Sequence, residues 1–343
     1  MFFTSDNASG AAPEVMAALL QTNEGYTLGY GAEEQMARVT ARLREVFEHP
    51  EAAVYLVPTG TVANSLALAL YAQPWSAIFA HADAHIAQDE CGAPEFYMHG
   101  AKLVLVAGDH GKMDPAALSM AIETAKGSGV HGVQPAAVSI TNVTEAGTVY
   151  SVAEVAALAA IGRAHGLAIH LDGARFANAL VATGATPAEM TWKAGIDVLS
   201  FGGTKNGCMG VEAVVIFDPA KAWEFELRRK RGGHLASKHR FLSAQMTGYL
   251  EDGLWLRLAA HANVMGARMT RGLAQMPDVT LVHPVGANIL FPEWGLGTHA
   301  RLEAAGAAYY PFTAPAGRER ARLVTSWSTT EADVDNFLTA LRG

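Results

Sequence analysis

Three short segments carry residue types that could do chemistry, and each one follows an apolar run. In PTGTVAN, Pro58 to Asn64, a strand-like run gives way to a helical one. The amides of Gly60, Thr61 and Val62 would then sit at a helix N-terminus, where unpaired N–H groups and the helix dipole attract an anion such as a phosphate. The same residues also fit an ordinary loop with Thr61 as N-cap. In IHLDGAR, Ile169 to Arg175, Asp172 ends a buried run. Desolvation there would raise its pKa unless a cation or several donors faced it, so a partner is implied. An N-cap role would account for Asp172 but leaves Arg175 without a reason. In VLSFGGTKNG, Val198 to Gly207, Gly202 and Gly203 would let the backbone approach a ligand, and Thr204 offers a hydroxyl to a phosphate. Lys205 follows, near a dry sheet edge, where an ammonium loses its proton more easily and the free amine can condense with a carbonyl. Phosphate contact is the alternative for Lys205, although GGTKNG does not fit the pattern G-x-x-x-x-G-K-[ST].

The elements that must position these residues are legible as an alternation. Short apolar runs at AAVYLV, SAIFAH, KLVLVAG, PAAVSIT, LAIHLD, DVLSF and VEAVVIF are separated by helical patterns such as TVANSLALALYA and SVAEVAALAAIGRAHG. The latter opens on Ser151 as N-cap with Glu154 three residues later, and closes at Gly166. Buried strands separated by helices predict an α/β fold, a large and mostly parallel sheet covered on both faces, with ligands beyond the carboxyl ends of the strands. From about Trp255 the texture changes to a long helix, the short runs VTLV and ANILF, a strand-like RARLVTS and a final amphipathic helix. This predicts a smaller α+β C-terminal domain. The boundaries expected are an N-terminal segment, 1–25, packing with the small domain, a large domain, 26–253, and the small domain, 254–343.

Composition narrows the function. Of 343 residues, 50% are hydrophobic and 17% charged, enough for a large core, and the formal net charge of -8 gives no electrostatic reason to bind nucleic acid or anionic lipid. No apolar stretch reaches a membrane span, and no metal-ligand spacing stands out. Cys91 and Cys208 make no disulfide framework, and MFFTSDNASG lacks the features of a signal peptide, so a cytoplasmic protein with a small-molecule partner is expected. The missing G-x-G-x-x-G argues against a dehydrogenase.

A phosphate loop, a carboxylate and a reactive lysine on successive strand ends are together what pyridoxal phosphate needs. PTGTVAN, HADAHIAQDECGA, AIHLDGAR, SFGGTKNGCMG and ARLVTSW, in this order, resemble the low-specificity L-threonine aldolases among the fold-type I pyridoxal phosphate enzymes. FTSDNASGAAPEVMAAL and GYTLGYGAEEQ extend the resemblance over almost the whole chain. It implies cleavage of L-threonine, L-allo-threonine and related β-hydroxy-α-amino acids such as phenylserine to glycine and an aldehyde, reversibly. It also implies that Lys205 holds the cofactor covalently, Asp172 faces its ring nitrogen, His85 stacks on the ring near the substrate hydroxyl, and Gly60 and Thr61 bind its phosphate. Ser5, Arg175 and Arg322 match positions that hold the substrate carboxylate. Tyr30 matches a segment that crosses a subunit interface, which implies a homo-oligomer, a tetramer built from dimers that share sites. Thr144 stands where many relatives carry a second histidine near the substrate. A basic side chain that reaches the neighbouring subunit's phosphate would come from Arg229, Arg231, His234 or Lys238. Another pyridoxal phosphate lyase of the β-eliminating kind, or a non-catalytic module on the same scaffold, is the alternative.

Overall fold

Every one of the seven apolar runs forms a strand of one sheet in the computed structural model, which describes residues 1–343. The strands are β1 (Ala53–Val57), β2 (Ser76–His81), β3 (Lys102–Val106), β4 (Gln134–Thr141), β5 (Ala168–Gly173), β6 (Val198–Gly202) and β7 (Glu212–Ile216), in the spatial order β1-β7-β6-β5-β4-β2-β3. β6 and β7 are buried along their whole length, which is why their sequences are continuous apolar runs with no alternation. The sheet is parallel except at β7, which runs antiparallel to both β1 and β6. Chain length explains this. Only residues 203–211 join β6 to β7, fewer than the roughly dozen needed for a parallel crossover.

Helices cover the sheet as the periodicity predicts. Val152–Ala164 begins with Ser151 and Glu154 in a reciprocal capping box. Helix Gly60–Ala69 follows β1, but its N-cap is Thr59, whose hydroxyl accepts the Val62 amide at 3.3 Å, so Thr61 is not the cap. No helix is long and apolar enough to cross a membrane.

Beyond the helix Leu254–Leu273 a second, antiparallel sheet forms from β8 (Thr280–Leu281), β9 (Ile289–Leu290), β10 (Pro292–Gly295), β11 (Tyr310–Phe312) and β12 (Arg318–Val324), closed by the helix Glu331–Arg342. Its core is separate from that of the large sheet, and Phe3 belongs to it, packed edge-on against Phe337 at 5.2 Å. Burying such a ring is worth about 1.5–3 kcal/mol. Backbone bonds from Phe3 N to Ala308 O at 2.7 Å and from Val324 N to Phe3 O at 2.9 Å tie the start of the chain to this sheet. Helix Pro13–Thr22 instead lies on Arg240–Leu250, where a Cβ on Gly248 would come within 3.1 Å of Ala18. The opening segment therefore bridges both sheets.

Candidate active site

The carboxyl ends of β5 and β6 meet at one point, and the reactive residues gather there. After β6 the chain makes a tight turn, Thr204–Asn206, which puts Lys205 beyond the strand end. Asn206 clamps the turn from beneath, donating to Tyr249 Oη and to Trp255 O, both at 2.8 Å. The two glycines have a packing reason that differs from the ligand approach expected. A Cβ on Gly202 would lie 2.3 Å from Ala174 O, and one on Gly203 2.6 Å from Val211 O, so only glycine lets these strand ends close up. The Thr204 hydroxyl likewise turns inward, accepting the Val211 amide at 3.2 Å, and is engaged within the loop instead of being open to a phosphate. Glu212 accepts the Gly203 amide at 2.8 Å; burial pushes its carboxyl up to about 7 even though those donors and Lys205 favour the charged form.

Asp172 is the penultimate residue of β5, paired in register with Ser200 and only 2% exposed. Its partners are donors supplied by the chain: the Ala174 amide reaches Oδ1 at 3.0 Å and Asn64 Nδ2 reaches Oδ2 at 2.9 Å. Asn64 Nδ2 also donates to Glu90 Oε1 at 2.9 Å, and that same oxygen pairs with His85 Nδ1 at 2.8 Å. His85 begins a short helix after β2, and the hydrogen bond it donates to Glu90 holds its pKa above the usual histidine value against burial and Lys205.

Arg175 is explained by Asp6. Its Nε and Nη2 donate to the two carboxylate oxygens at 2.7 and 3.0 Å, and Asn288 Nδ2 adds a bond at 3.2 Å. Burial alone would raise Asp6, but Arg175 and Lys205 outweigh it and hold the carboxyl below its ordinary range. Arg322, on β12, has no carboxylate partner; burial and the neighbouring Arg175 push its pKa down. A cleft of about 700 Å3 is lined by Ser5, His85, Arg175, Lys205, Arg322 and Glu145. An unpaired guanidinium, an imidazole and an amine in one such cleft can grip a carboxylate and move a proton next to an amine.

Other expected residues lie elsewhere. Thr144 does not line the cleft: it is fully buried, its hydroxyl within 2.8 Å of Thr148 Oγ1, because the turn closed by Gly147 N and Thr144 O folds it inward. The next residue, Glu145, takes the place on the cleft wall. Tyr30 is 53% exposed at φ 58 and lines a separate groove with Glu33, Tyr55 and Arg229. Arg229 is buried against Leu56 O and Glu226, and His234 meets Tyr97 Oη at 2.7 Å, so Arg231 and Lys238 are the exposed members of that basic set. Asn64, Glu90 and Asp6 were not singled out from sequence, although each lies inside a quoted motif. Their signal is a polar side chain inside a chemically loaded segment.

The donor set fits pyridoxal phosphate. Gly60 and Thr61 have first-turn amides with no backbone acceptor, and nothing lies within 4 Å of where a Gly60 Cβ would be, which leaves room for a phosphate. The Asp172 carboxyl would suit the ring nitrogen, Lys205 the cofactor's carbonyl carbon and the His85 ring the flat face of the pyridine, and buried Asn64 Oδ1 still lacks a donor. Comparison with known proteins agrees with this reading. Residues 3–293 match the family model described as beta-eliminating lyase. The chain is 43% identical over 341 residues to a low specificity L-threonine aldolase of a Pseudomonas species, covering 99% of this chain and 96% of that one. It is 42% identical over 328 residues to the protein of that name from Pseudomonas aeruginosa, covering 95% and 93%. The solved threonine aldolase of Leishmania major is similar with a TM-score of 0.94 at 31% identity, covering 99% of this chain and 98% of that one. The chain belongs to the beta-eliminating lyase family, which depends on pyridoxal phosphate, and within it to the low specificity L-threonine aldolases.

Proposed function

We propose that this protein is a carbon–carbon lyase that cleaves L-threonine, L-allo-threonine and related β-hydroxy-α-amino acids to glycine and an aldehyde, reversibly. The observation that supports it best is the shared cleft of Lys205, His85 and the unpaired Arg322. Lys205 Nζ, Asp172 and the Gly60 and Thr61 amides would hold pyridoxal phosphate, which when bound would draw electrons from the bond that breaks at Cα. Arg322 and the outer face of Arg175, with Ser5, bind the substrate carboxylate. That grip decides which bond at Cα is aligned for cleavage, so it selects aldol cleavage over loss of carbon dioxide. His85 Nε2 accepts the proton of the β-hydroxyl, directly or through a water, and a histidine can hold that proton near neutral pH. Asp172, held by the Ala174 amide and Asn64, would pair with the ring nitrogen.

The active unit is a dimer in which Tyr30 and an exposed cation, Arg231 or Lys238, reach the partner's cleft, with two dimers forming a tetramer. The Gly29–Gly31 turn supports this reading, because it holds Tyr30 outward with its amide on Ser237 O at 3.2 Å, next to the basic stretch. The deciding assay incubates the protein and pyridoxal phosphate with a panel of β-hydroxy-α-amino acids and measures products. Equimolar glycine and aldehyde are expected; ammonia and a keto acid without glycine would replace the proposal with β-elimination.

A further inference from the structure

Glu90 is a carboxylate where the packing asks for none. Its side chain is 0% exposed, and along the chain on either side of it Ala84, Ile86 and Met98 belong to a buried apolar cluster. A buried carboxylate is costly unless it is hydrogen-bonded, and here one oxygen takes both bonds, from Asn64 Nδ2 at 2.9 Å and from His85 Nδ1 at 2.8 Å, while Oε2 has none. The same Asn64 nitrogen donates to both this carboxyl group and Asp172, so one donor bridges the two side chains. With Nδ1 engaged, Nε2 is the His85 nitrogen left without a partner. We propose that Glu90 is the positioning residue of His85: it fixes the proton on Nδ1 and leaves Nε2 free in the cleft as the proton acceptor. The inference rests on His85 serving the reaction named above. It extends that reading to a residue which touches neither substrate nor cofactor.

The charges around His85 come from several elements. Glu90 is the largest influence, Lys205 opposes it, and Glu145 and Asp172 reinforce it; Asp83 and Asp89 share the cleft. Only the first is bonded to the ring, so a change confined to Glu90 separates it from the rest. Asn at position 64 is retained in that variant.

The test begins with cofactor-free wild-type protein labelled with 15N at histidine, with His85→Asn used to assign the resonance among 13 histidines. Neutral His85 should carry its proton on Nδ1 and titrate above the ordinary value of about 6.5. In E90Q the titration should move down, the acid limb of kcat/KM should move to lower pH with it, and kcat should fall by up to the ~10²–10⁴-fold that base assistance is worth. E90D, which keeps the charge at shorter reach, should return the limb part of the way. A wild-type tautomer with the proton on Nε2 would overturn the proposal, whether or not E90Q folds. So would an E90Q enzyme with an unmoved acid limb. Absence of aldol cleavage in the wild type would refute the functional reading and still leave the tautomer measurement standing.

Discussion

Asp6→Ala removes the counter-ion of Arg175, together with an acceptor for Asn288 and for the Ser5 hydroxyl. The guanidinium, 3% exposed at its side chain, loses bonds of 2.7 and 3.0 Å. Taking one partner from a buried ion pair costs about 3–5 kcal/mol, because the remaining charge stays buried and uncompensated. An unfolding entropy near 2.1 cal/mol/K per residue, over 343 residues, is about 0.7 kcal/mol/K, so the midpoint should fall by about 4–7 °C. Asp6→Asn, which keeps one acceptor, should fall less. The pH dependence has a definite sign. Burial would raise Asp6, Arg175 and Lys205 more than reverse that, and a carboxyl held low in the folded state stabilises above its unfolded pKa of about 3.9. That stabilisation is lost as pH falls through the lower folded value, so the wild-type and Asp6→Asn midpoints should converge only in strong acid. Scanning calorimetry of the cofactor-free proteins from neutral to acid pH reads both effects, and the variant should also show a raised KM for the amino acid. An Asp6→Ala midpoint equal to the wild type at neutral pH would refute the argument, since Arg175 would then not depend on Asp6.

Three further outcomes are expected. Lys205→Ala should be colourless with pyridoxal phosphate, and borohydride, which fixes the cofactor to the Lys205 peptide of the wild type, should fix none; a reducible adduct on the variant would remove Lys205 from its role. Mixed dimers of Lys205→Ala with Tyr30→Ala chains, each inactive alone, should regain part of the activity by pairing one intact cleft with one intact Tyr30; verified hybrids with no activity would show that the cleft is built from one chain. His170, held between Ser139 Oγ and Ser200 Oγ, is pushed down to about 4 by burial. The unfolded chain takes up that proton near 6.5, so denaturant unfolding should show stability falling from about pH 6.5 toward 4, and His170→Gln should flatten this part of the curve.

The seven strands of the large sheet were legible because most of them are buried on both faces and so read as apolar runs, while the edge strand β3 is exposed at several positions yet keeps the run LVLV. The direction of β7 was not, since periodicity carries no direction; the brevity of 203–211 did carry it. β10 and β11 escaped notice because they are short and β11 is exposed along its length. At the site, motif order brought out Lys205, Asp172, His85 and Arg322, whose residue types advertise chemistry. The supporting bonds did not show, because they join residues 26, 108 and 169 positions apart, and no pattern in one sequence encodes such pairings. Thr144 shows the opposite limit: position along the chain suggested a substrate contact, and a tight turn gave that wall to Glu145.

The docking of the opening segment also sets an order of events during synthesis. Phe3 binds Ala308 and Val324, and Asp6 binds Arg175 and Asn288, so residues 3–6 have no home until the chain has been made as far as β12. At about 5–20 residues per second, reaching residue 324 takes roughly 15–65 s, during which the large sheet can form while its first residues wait at the surface. Through that interval Asp6 lacks Asn288, Phe3 lacks Ala308 and Val324, and the cleft lacks Arg322. A chain made only as far as residue 317 lacks Arg322 and the strand that anchors Phe3, so the cleft is incomplete until β12 has been synthesised.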